Sequence, residues 1–328
     1  MTEDKGRADG AGVVLVMVPP QGAATADWPA RLEAAVPGVE VLRPASEVEA
    51  AEVMGRADAA YGVLPVELLR GATRLRWLQA PQAGPAPEFY YPELVEHPVV
   101  VTNMRDTYTD HVAAHTLALV LAMARGLPRY VRDQEKARWA PDWDPSAVLA
   151  LGEASALVVG AGAVGAEVGR LLSELGVTVT GVDARITQAP KGFVAVHPVG
   201  ELDELLPTAD IVVLTVPHTP ATEGMIDAQR LKHFKPTALF VNVGRGPTVR
   251  LDDLAQSRLG GIALDVFETE PLPPTHPLWT RPDVLITPHV AGAGPHANER
   301  RFAVLLENTR RFLAGDPLIN QVDKAQRF

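Results

Sequence analysis

Ala156-Leu157-Val158-Val159-Gly160-Ala161-Gly162-Ala163-Val164-Gly165 is the stretch on which the reading of this chain turns. The four leading residues are apolar and read as a buried strand. The glycines sit at G-x-G-x-x-G spacing before an apolar-periodic run, Val164 to Leu175, that reads as a helix. Each glycine has its own reason there. Gly160 permits the tight turn, Gly162 lets a pyrophosphate approach the backbone, and Gly165 lets helix and strand pack closely. The helix start offers N–H groups and a positive dipole end to phosphate. A glycine turn alone often only makes a turn, but the next strand, Val177–Val182, ends at Asp183, eighteen positions beyond Gly165. A carboxylate there can accept from both ribose hydroxyls of NAD and repel the 2′-phosphate of NADP. NAD is therefore the expected cofactor and NADP the lesser one, although Arg185 nearby would tolerate a 2′-phosphate.

Downstream, three segments each place a polar group just past a buried strand: Phe240-Val241-Asn242-Val243-Gly244-Arg245-Gly246, Ala263 to Pro273 with Asp265 and Glu270, and Leu285 to Gly292 with His289. In a doubly wound sheet that edge is where ligands sit. Arg245, Glu270 and His289 suit the reduction of a keto acid. Arg supplies a two-pronged donor for the carboxylate. His supplies a proton as hydride arrives. A carboxylate beside that His orients it and favours the imidazolium. Singly, these would read as a surface charge, a loop carboxylate and a strand-end histidine; the shared placement carries the assignment.

Upstream, Val13–Val18, Val39–Leu42, Ala59–Val63, Trp77–Ala80 and Val99–Thr102 read as strands with helical stretches between, such as Pro29–Val36. A long helix, His111 to Arg125, is capped by Thr109 or Asp110 and ended by Gly126 and Pro128. A polar arm, Arg129 to Ser146, follows. The second series continues through strands Ile211–Thr215, Leu239–Asn242, Gly261–Leu264 and Val284–Thr287 to a final helix from Pro295 to Leu313, expected to return to the first half. Alternating strands and helices in two α/β halves predict two doubly wound parallel sheets.

The chain has 328 residues, 47% hydrophobic, with formal charge −10. That length suggests two domains. The acidic balance argues against nucleic acid and membrane surfaces as partners and obliges any anion site to carry its own cations. No cysteine is present, which excludes disulfides, thiolate zinc sites and Cys nucleophiles. Residues 1–11 read as a disordered tail. The run Val13–Val18 is too short for a signal segment, and the protein is read as cytoplasmic. His111 and His115 lie one helical turn apart but lack a metalloprotease Glu and a third ligand, so they read as helix packing, with no metal expected. His97, His197, His276 and His296 receive the same bland reading, and Trp139 and Trp143 read as packing the arm.

The motifs resemble the D-isomer-specific 2-hydroxyacid dehydrogenase family. The matching text is the Gly160–Gly165 turn with Asp183, Val216-Pro217-His218-Thr219-Pro220-Ala221-Thr222, Asn242–Gly246, Leu264–Pro273, His276-Pro277-Leu278-Trp279 and Thr287–Gly292, with Thr102-Asn103 and the helix from Thr109 resembling the first crossover. The resemblance implies a Rossmann NAD domain, 109–293, inserted in a flavodoxin-like substrate domain, 1–108 and 294–328, with a cleft that closes on binding. It implies that Arg245 binds substrate carboxylate and carbonyl, that His289 paired with Glu270 is the general acid/base, and that Asp265 meets the nicotinamide amide. Ala163 and Val164 would give N–H groups to the pyrophosphate. Val216, Pro217, Thr222, Val243, Gly244, Ala291 and Gly292 would complete the cofactor contacts, with Arg245 and His289. A homodimer with an arm like Arg129–Ser146 is also implied.

Departures are specific. The loop Ala80-Pro81-Gln82-Ala83-Gly84-Pro85 stands where the family more often continues Gly-Val-Asp. Ala83 and Gly84 keep N–H groups for a substrate carboxylate, whereas Pro85 has none. Asn103-Met104-Arg105-Asp106 replaces a glycine-rich crossover, leaving Arg105 open between cleft and solvated hinge. The stretch from Arg245 to Asp265 is shorter than usual. Long-type phosphoglycerate dehydrogenase is disfavoured by the end of the chain after the last helix, and formate dehydrogenase by Glu270 in place of Gln. The expected activity is hydride transfer between NAD(H) and a small 2-keto/D-2-hydroxy acid pair, glyoxylate/hydroxypyruvate reductase-like. An NAD-responsive, corepressor-like binding protein on the same scaffold stays open as the alternative.

Overall fold

A computed structural model describes residues 12–144 and 148–327. The expected N-terminal tail and the last two residues of the arm lie outside the described residues. The chain divides into two compact units, one running through Thr107 and resuming at His296, the other spanning Tyr108–Pro295.

The first unit holds a five-stranded parallel sheet of β1 (Val13–Met17), β2 (Val39–Leu42), β3 (Ala59–Tyr61), β4 (Trp77–Gln79) and β5 (Val100–Thr102), in the order β2-β1-β3-β4-β5. This is the flavodoxin-like order. Alternate residues of each strand face opposite sides of a sheet. Val14 and Val16 join Ala60 and Leu78 over Leu68, Leu69 and Leu94 on one face. On the other, buried Leu15, Met17, Tyr61 and Trp77 meet the helices Trp28–Ala35 and Ala297–Ala314. Trp28 packs on Tyr61 and Phe302, and Trp77 on Phe312, at centroid distances of 5.3, 5.6 and 5.5 Å.

The final helix thus belongs to the first unit, and a buried polar chain holds it there. The Trp77 indole N–H donates to Thr102 Oγ1, whose hydroxyl donates to Gln79 Oε1, both at 2.8 Å. Asn308 Nδ2 donates to the same Gln79 oxygen at 3.0 Å, and Asn308 Oδ1 accepts from Ile319 N at 2.8 Å. All four side-chain owners are fully buried, where each unsatisfied polar atom would cost about 1–3 kcal/mol. Arg105 touches the C-terminal segment of its own unit: its carbonyl accepts from Asn320 Nδ2 at 3.0 Å and its guanidinium donates at 3.4 Å to Gln321 O, on the exposed side.

The second unit holds seven parallel strands: β6 (Ser155–Val159), β7 (Thr178–Val182), β8 (Phe193–His197), β9 (Ile211–Leu214), β10 (Leu239–Asn242), β11 (Gly261–Leu264) and β12 (Val284–Ile286). Their order is β12-β11-β10-β9-β6-β7-β8, the doubly wound Rossmann order with its crossover between β6 and β9. Leu157, Val159, Val212, Leu214, Phe240 and Ile262 build one face, and Ala156, Val158, Val213, Val241 and Ala263 the other. Both faces of the central strands are covered, which is why β6, β9, β10 and β11 read as largely continuous apolar runs. Helices Thr109–Ala124 and Ala163–Glu174 lie on the second face through Leu119, Val120, Val168 and Leu172.

Three details differ from the sequence reading. Strand β8 was not expected. It is an edge strand whose residues are half-buried or exposed, so no apolar run marks it; its Phe193 instead packs where Gly169 and Gly181 have no side chain. Pro128 is a helix starter rather than a stop: it opens a further helix, Leu127–Glu135, behind Gly126 at φ +63°, because proline fits the first helical turn, where its missing N–H would be unpaired anyway. Thr109 and Asp110 do not cap the long helix; Tyr108 stands at its N-cap without a side-chain bond, and Asp110 lies in the first turn. Among the described residues, no helix is long and apolar enough to cross a membrane.

Candidate active site

The glycine turn lies between β6 and the helix from Ala163. Gly160 has φ +99°, a conformation L side chains rarely adopt, and a Cβ there would fall 2.9 Å from Thr215 Oγ1. That hydroxyl donates to the Gly160 carbonyl at 2.7 Å, fixing the turn to the end of β9. A Cβ on Gly165 would lie 1.8 Å from Gly160 O, so only glycine lets the helix approach the strand. Gly162 is different: a Cβ there would meet nothing within 4 Å. Nothing in the protein requires glycine at 162, whereas a phosphate laid against the backbone would. Gly162 is also the helix N-cap and makes no side-chain cap, so the first-turn N–H groups receive none of the usual side-chain capping. This cradle fits a dinucleotide pyrophosphate.

Asp183 closes the turn from β7. Its Oδ2 accepts from Ala161 N at 2.8 Å, and its Oδ1 from Arg185 N and Ile186 N at 2.8 and 2.9 Å. A carboxylate offers about four acceptor sites, so three amides leave capacity for about one ribose hydroxyl rather than two.

Arg245, Glu270 and His289 follow β10, β11 and β12, three adjacent strands of one sheet. Parallel strands end at the same edge, and so do the loops after them. Asn242, fully buried, shapes the first loop: its Oδ1 accepts from Gly244 N at 3.0 Å and its Nδ2 donates to Arg245 O at 3.2 Å. Thr248 Oγ1 donates to the same carbonyl at 2.6 Å. A Cβ on Gly244 would fall 2.6 Å from Val216 O, so the loop packs against the backbone after β9. The Arg245 guanidinium, partly exposed, donates through Nη1 to Gly244 O at 2.6 Å.

His289 Nδ1 and Glu270 Oε2 are 2.7 Å apart, and Glu270 Oε1 accepts from Phe267 N at 3.0 Å. The carboxylate is thereby oriented from behind, and it orients the ring. Both side chains stay accessible, at 48% and 36% exposure. Beside them a pocket of about 350 Å³ has walls of Phe267, Leu272, Trp279 and Ile286.

Asp265 is 1% exposed. Its Oδ1 accepts from Thr287 Oγ1 at 2.6 Å and Val290 N at 3.0 Å, and its Oδ2 from Ala291 N at 2.9 Å. Its carbonyl accepts from His289 N at 2.8 Å. The carboxylate expected to meet a nicotinamide amide is therefore committed to the loop carrying His289. His115, read from sequence as helix packing, stands beside this network, with Nε2 3.0 Å from Thr287 Oγ1 and 3.6 Å from Asp265 Oδ1. Its signal was a polar residue on the sheet-facing side of an otherwise apolar helix. The His111 ring lies against the loop glycine Gly294, and its buried Nδ1 has no hydrogen-bond partner among the described residues. Asn242, Thr248, Thr215 and Thr287 were also missed as positioning groups, since short polar residues at strand ends are common. Thr222 Oγ1 bonds Pro217 O and Thr219 N, holding its own loop. Ala83 and Gly84 lie in the bend after β4 of the first unit.

A phosphate-ready glycine turn and an Arg–Glu–His constellation on the edge of one Rossmann sheet define an NAD(P)-binding oxidoreductase. A family model described as "D-isomer specific 2-hydroxyacid dehydrogenase, NAD binding domain" matches residues 117–291, more than half of the chain. This chain belongs to the D-isomer-specific 2-hydroxyacid dehydrogenase family, as the sequence motifs suggested. It is 32% identical over 231 residues to a glyoxylate reductase of Thermofilum pendens, covering 69% of this chain and 68% of that one. Among solved structures it resembles a D-isomer specific 2-hydroxyacid dehydrogenase from Xanthobacter autotrophicus in complex with NADPH and MES, at TM-score 0.82 and 29% identity over 97% of this chain and 100% of that one. It also resembles an NADPH-dependent glyoxylate/hydroxypyruvate reductase from Sinorhizobium meliloti, at TM-score 0.80 and 26% identity over 96% and 100%. The two-domain α/β expectation holds in these matches.

Asp265→Asn replaces one acceptor oxygen by an amide that cannot accept from the loop. It is expected to cost about 1–3 kcal/mol of stability and to speed hydrogen exchange at the Val290 and Ala291 amides while leaving β6 protected. Unchanged exchange at those two amides would show that the carboxylate does not hold the loop.

Proposed function

We propose that this chain reduces a small 2-keto acid to the D-2-hydroxy acid with NADH, or runs the reverse, in the manner of a glyoxylate or hydroxypyruvate reductase. The observation that carries the reading is the His289–Glu270 contact of 2.7 Å, with Arg245 following β10, the neighbour of β11. The relatives named glyoxylate reductase support the substrate class.

In this reading the nicotinamide, when bound, supplies the hydride. The Arg245 fork pairs with the substrate carboxylate and carbonyl oxygen and fixes which face is presented. Glu270 engages Nδ1, leaving His289 Nε2 to give a proton to the carbonyl oxygen as charge develops there. In the oxidative direction Nε2 takes the hydroxyl proton. Asp265 acts one step back, through the loop that aims the ring. Gly162, Ala163 and Val164 would hold the pyrophosphate, while Val216, Pro217, Thr222, Val243, Gly244, Ala291 and Gly292 would flank the rest of the dinucleotide. Ala83 and Gly84 would add N–H groups for the carboxylate. Residues 109–293 would serve as the cofactor domain, and 1–108 with 294–328 as the substrate domain.

NAD(H) as cofactor rests on Asp183, since two solved neighbours carry NADPH or are NADPH-dependent. We infer a homodimer from the arm. Its first helix is fastened by Arg132 to the carbonyls of Arg281, Pro282 and Val284, but Trp139 and Trp143 beyond it are 95% and 88% exposed. Large apolar side chains left in solvent mark contact surfaces.

Oxidation of NADH followed by absorbance, against glyoxylate, hydroxypyruvate, pyruvate and bulkier 2-keto acids, is expected to show turnover with at least one. His289→Ala should lower kcat by ~10²–10⁴-fold with NADH affinity retained, and normal turnover in that variant would remove His289 from the mechanism. For the cofactor, Asp183→Asn should narrow the ratio of NADH to NADPH efficiency, whereas Asp183→Ala should also weaken both by unpairing three amides. A ratio unchanged in Asp183→Asn would place cofactor choice elsewhere. Light scattering after size exclusion is expected to give twice the 35.1 kDa chain mass, with Trp139→Ser/Trp143→Ser shifting it toward monomer; a wild-type monomer would refute the arm's role.

A further inference from the structure

A second crevice lies wholly within the first unit, at the carboxyl ends of β1, β3 and β4. In the order β2-β1-β3-β4-β5 the winding reverses between β1 and β3, and such switch points are where open α/β sheets take ligands. The crevice has a volume of about 300 Å³, and Gln21, Thr25, Tyr61, Gln82 and Arg301 supply its polar walls. Arg301 is the one charged side chain among its lining residues.

Among the described residues that guanidinium has no counter-charge. Nη2 donates to the Tyr61 hydroxyl at 2.7 Å and Nη1 to Asn298 Oδ1 at 3.4 Å. The Trp28 ring lies 5.8 Å from its central carbon. Its Nε is buried and has no hydrogen-bond partner among the described residues. All of these partners are neutral. The acid two residues back, Glu299, is committed to Arg31 through two bonds of 3.0 and 2.6 Å. Arg301 is partly buried, and taking even part of a cation out of water without an opposite charge is unfavourable, in a chain whose net charge is −10. A guanidinium edge matches two oxygens of a carboxylate or phosphate.

We propose that this crevice binds a carboxylate or phosphate group of a small molecule, with Arg301 as its ion-pair partner and Tyr61 as the residue that orients the fork. Gln82 in its wall immediately precedes Ala83 and Gly84 in the bend after β4. Only the identity of the molecule rests on the proposed function: the group is the distal anion of a doubly charged 2-keto acid, or belongs to a separate anion.

The test compares wild type and Arg301→Gln as full chains. Calorimetric titration with inorganic phosphate and with glutarate reads the site directly, and a loss of affinity of about tenfold or more is expected in the variant. Steady-state kinetics with 2-oxoglutarate and its singly charged five-carbon counterpart, 2-oxopentanoate, assign the source. A roughly tenfold rise in KM for the diacid alone places the far end of the substrate on Arg301; weakened titration with an unchanged KM ratio assigns a separate anion. Equal affinities and an equal ratio in both proteins overturn the proposal. The titration decides it even where no keto acid is turned over, so it fails or stands apart from the reductase reading. Tyr61→Phe, which keeps the buried ring, is expected to weaken binding less than Arg301→Gln, and it supplies the answer if the latter does not fold.

Discussion

The loop that carries His289 depends on one buried carboxylate, that of Asp265. His289 adopts φ +53°, a left-handed backbone that costs a residue with a side chain roughly 1–3 kcal/mol. It persists because both sides of it are tied to Asp265: the N–H of His289 to its carbonyl, and those of Val290 and Ala291, with the Thr287 hydroxyl, to its carboxylate. Burial strengthens each bond, because no water competes for the oxygens. The ring of His289 is then aimed by backbone rather than by its own torsions alone, and Glu270 has only to hold Nδ1.

The same economy operates at the other loops. Asn242 turns the chain after β10 so that Arg245 projects from it, and Thr215 ties the glycine turn after β6 to the end of β9. Each is a short polar side chain at the end of a buried strand, satisfied within the protein. The flexible groups, Arg245, Glu270 and His289, are the ones left partly accessible. Rigid strands with self-satisfied loops present the reactive groups at low entropic cost, which is what a reaction relying on positioned donors requires.

Charge is arranged against the grain of the whole molecule. A surface of net charge −10 does not draw anions. Any anion site must therefore carry its own donors, and the described residues offer two kinds: the backbone N–H groups after Gly162, and the guanidinium groups of Arg245 and Arg301.

Much of this was legible from residues alone. Short, largely apolar runs between turn residues marked eleven of the twelve strands among the described residues, most plainly the central ones, which are buried on both faces. The glycine spacing, Asp183 and the Arg, Glu and His after successive strands marked the family, and the structure sets that Glu and His side by side. Strand β8 escaped because an edge strand needs little apolar character, and the helix from Leu127 because proline breaks a helix in its interior but begins one at its start. What only the tertiary structure decided is which polar groups satisfy one another. That Asp265 serves the His289 loop, that the Ala161 amide occupies Asp183, that His115 stands beside Thr287, and that Arg301 meets Tyr61 all depend on contacts between residues far apart in the chain. A hydrogen bond is set by ångström distances and angles, and sequence order does not encode those until the sheet has brought its strand ends together.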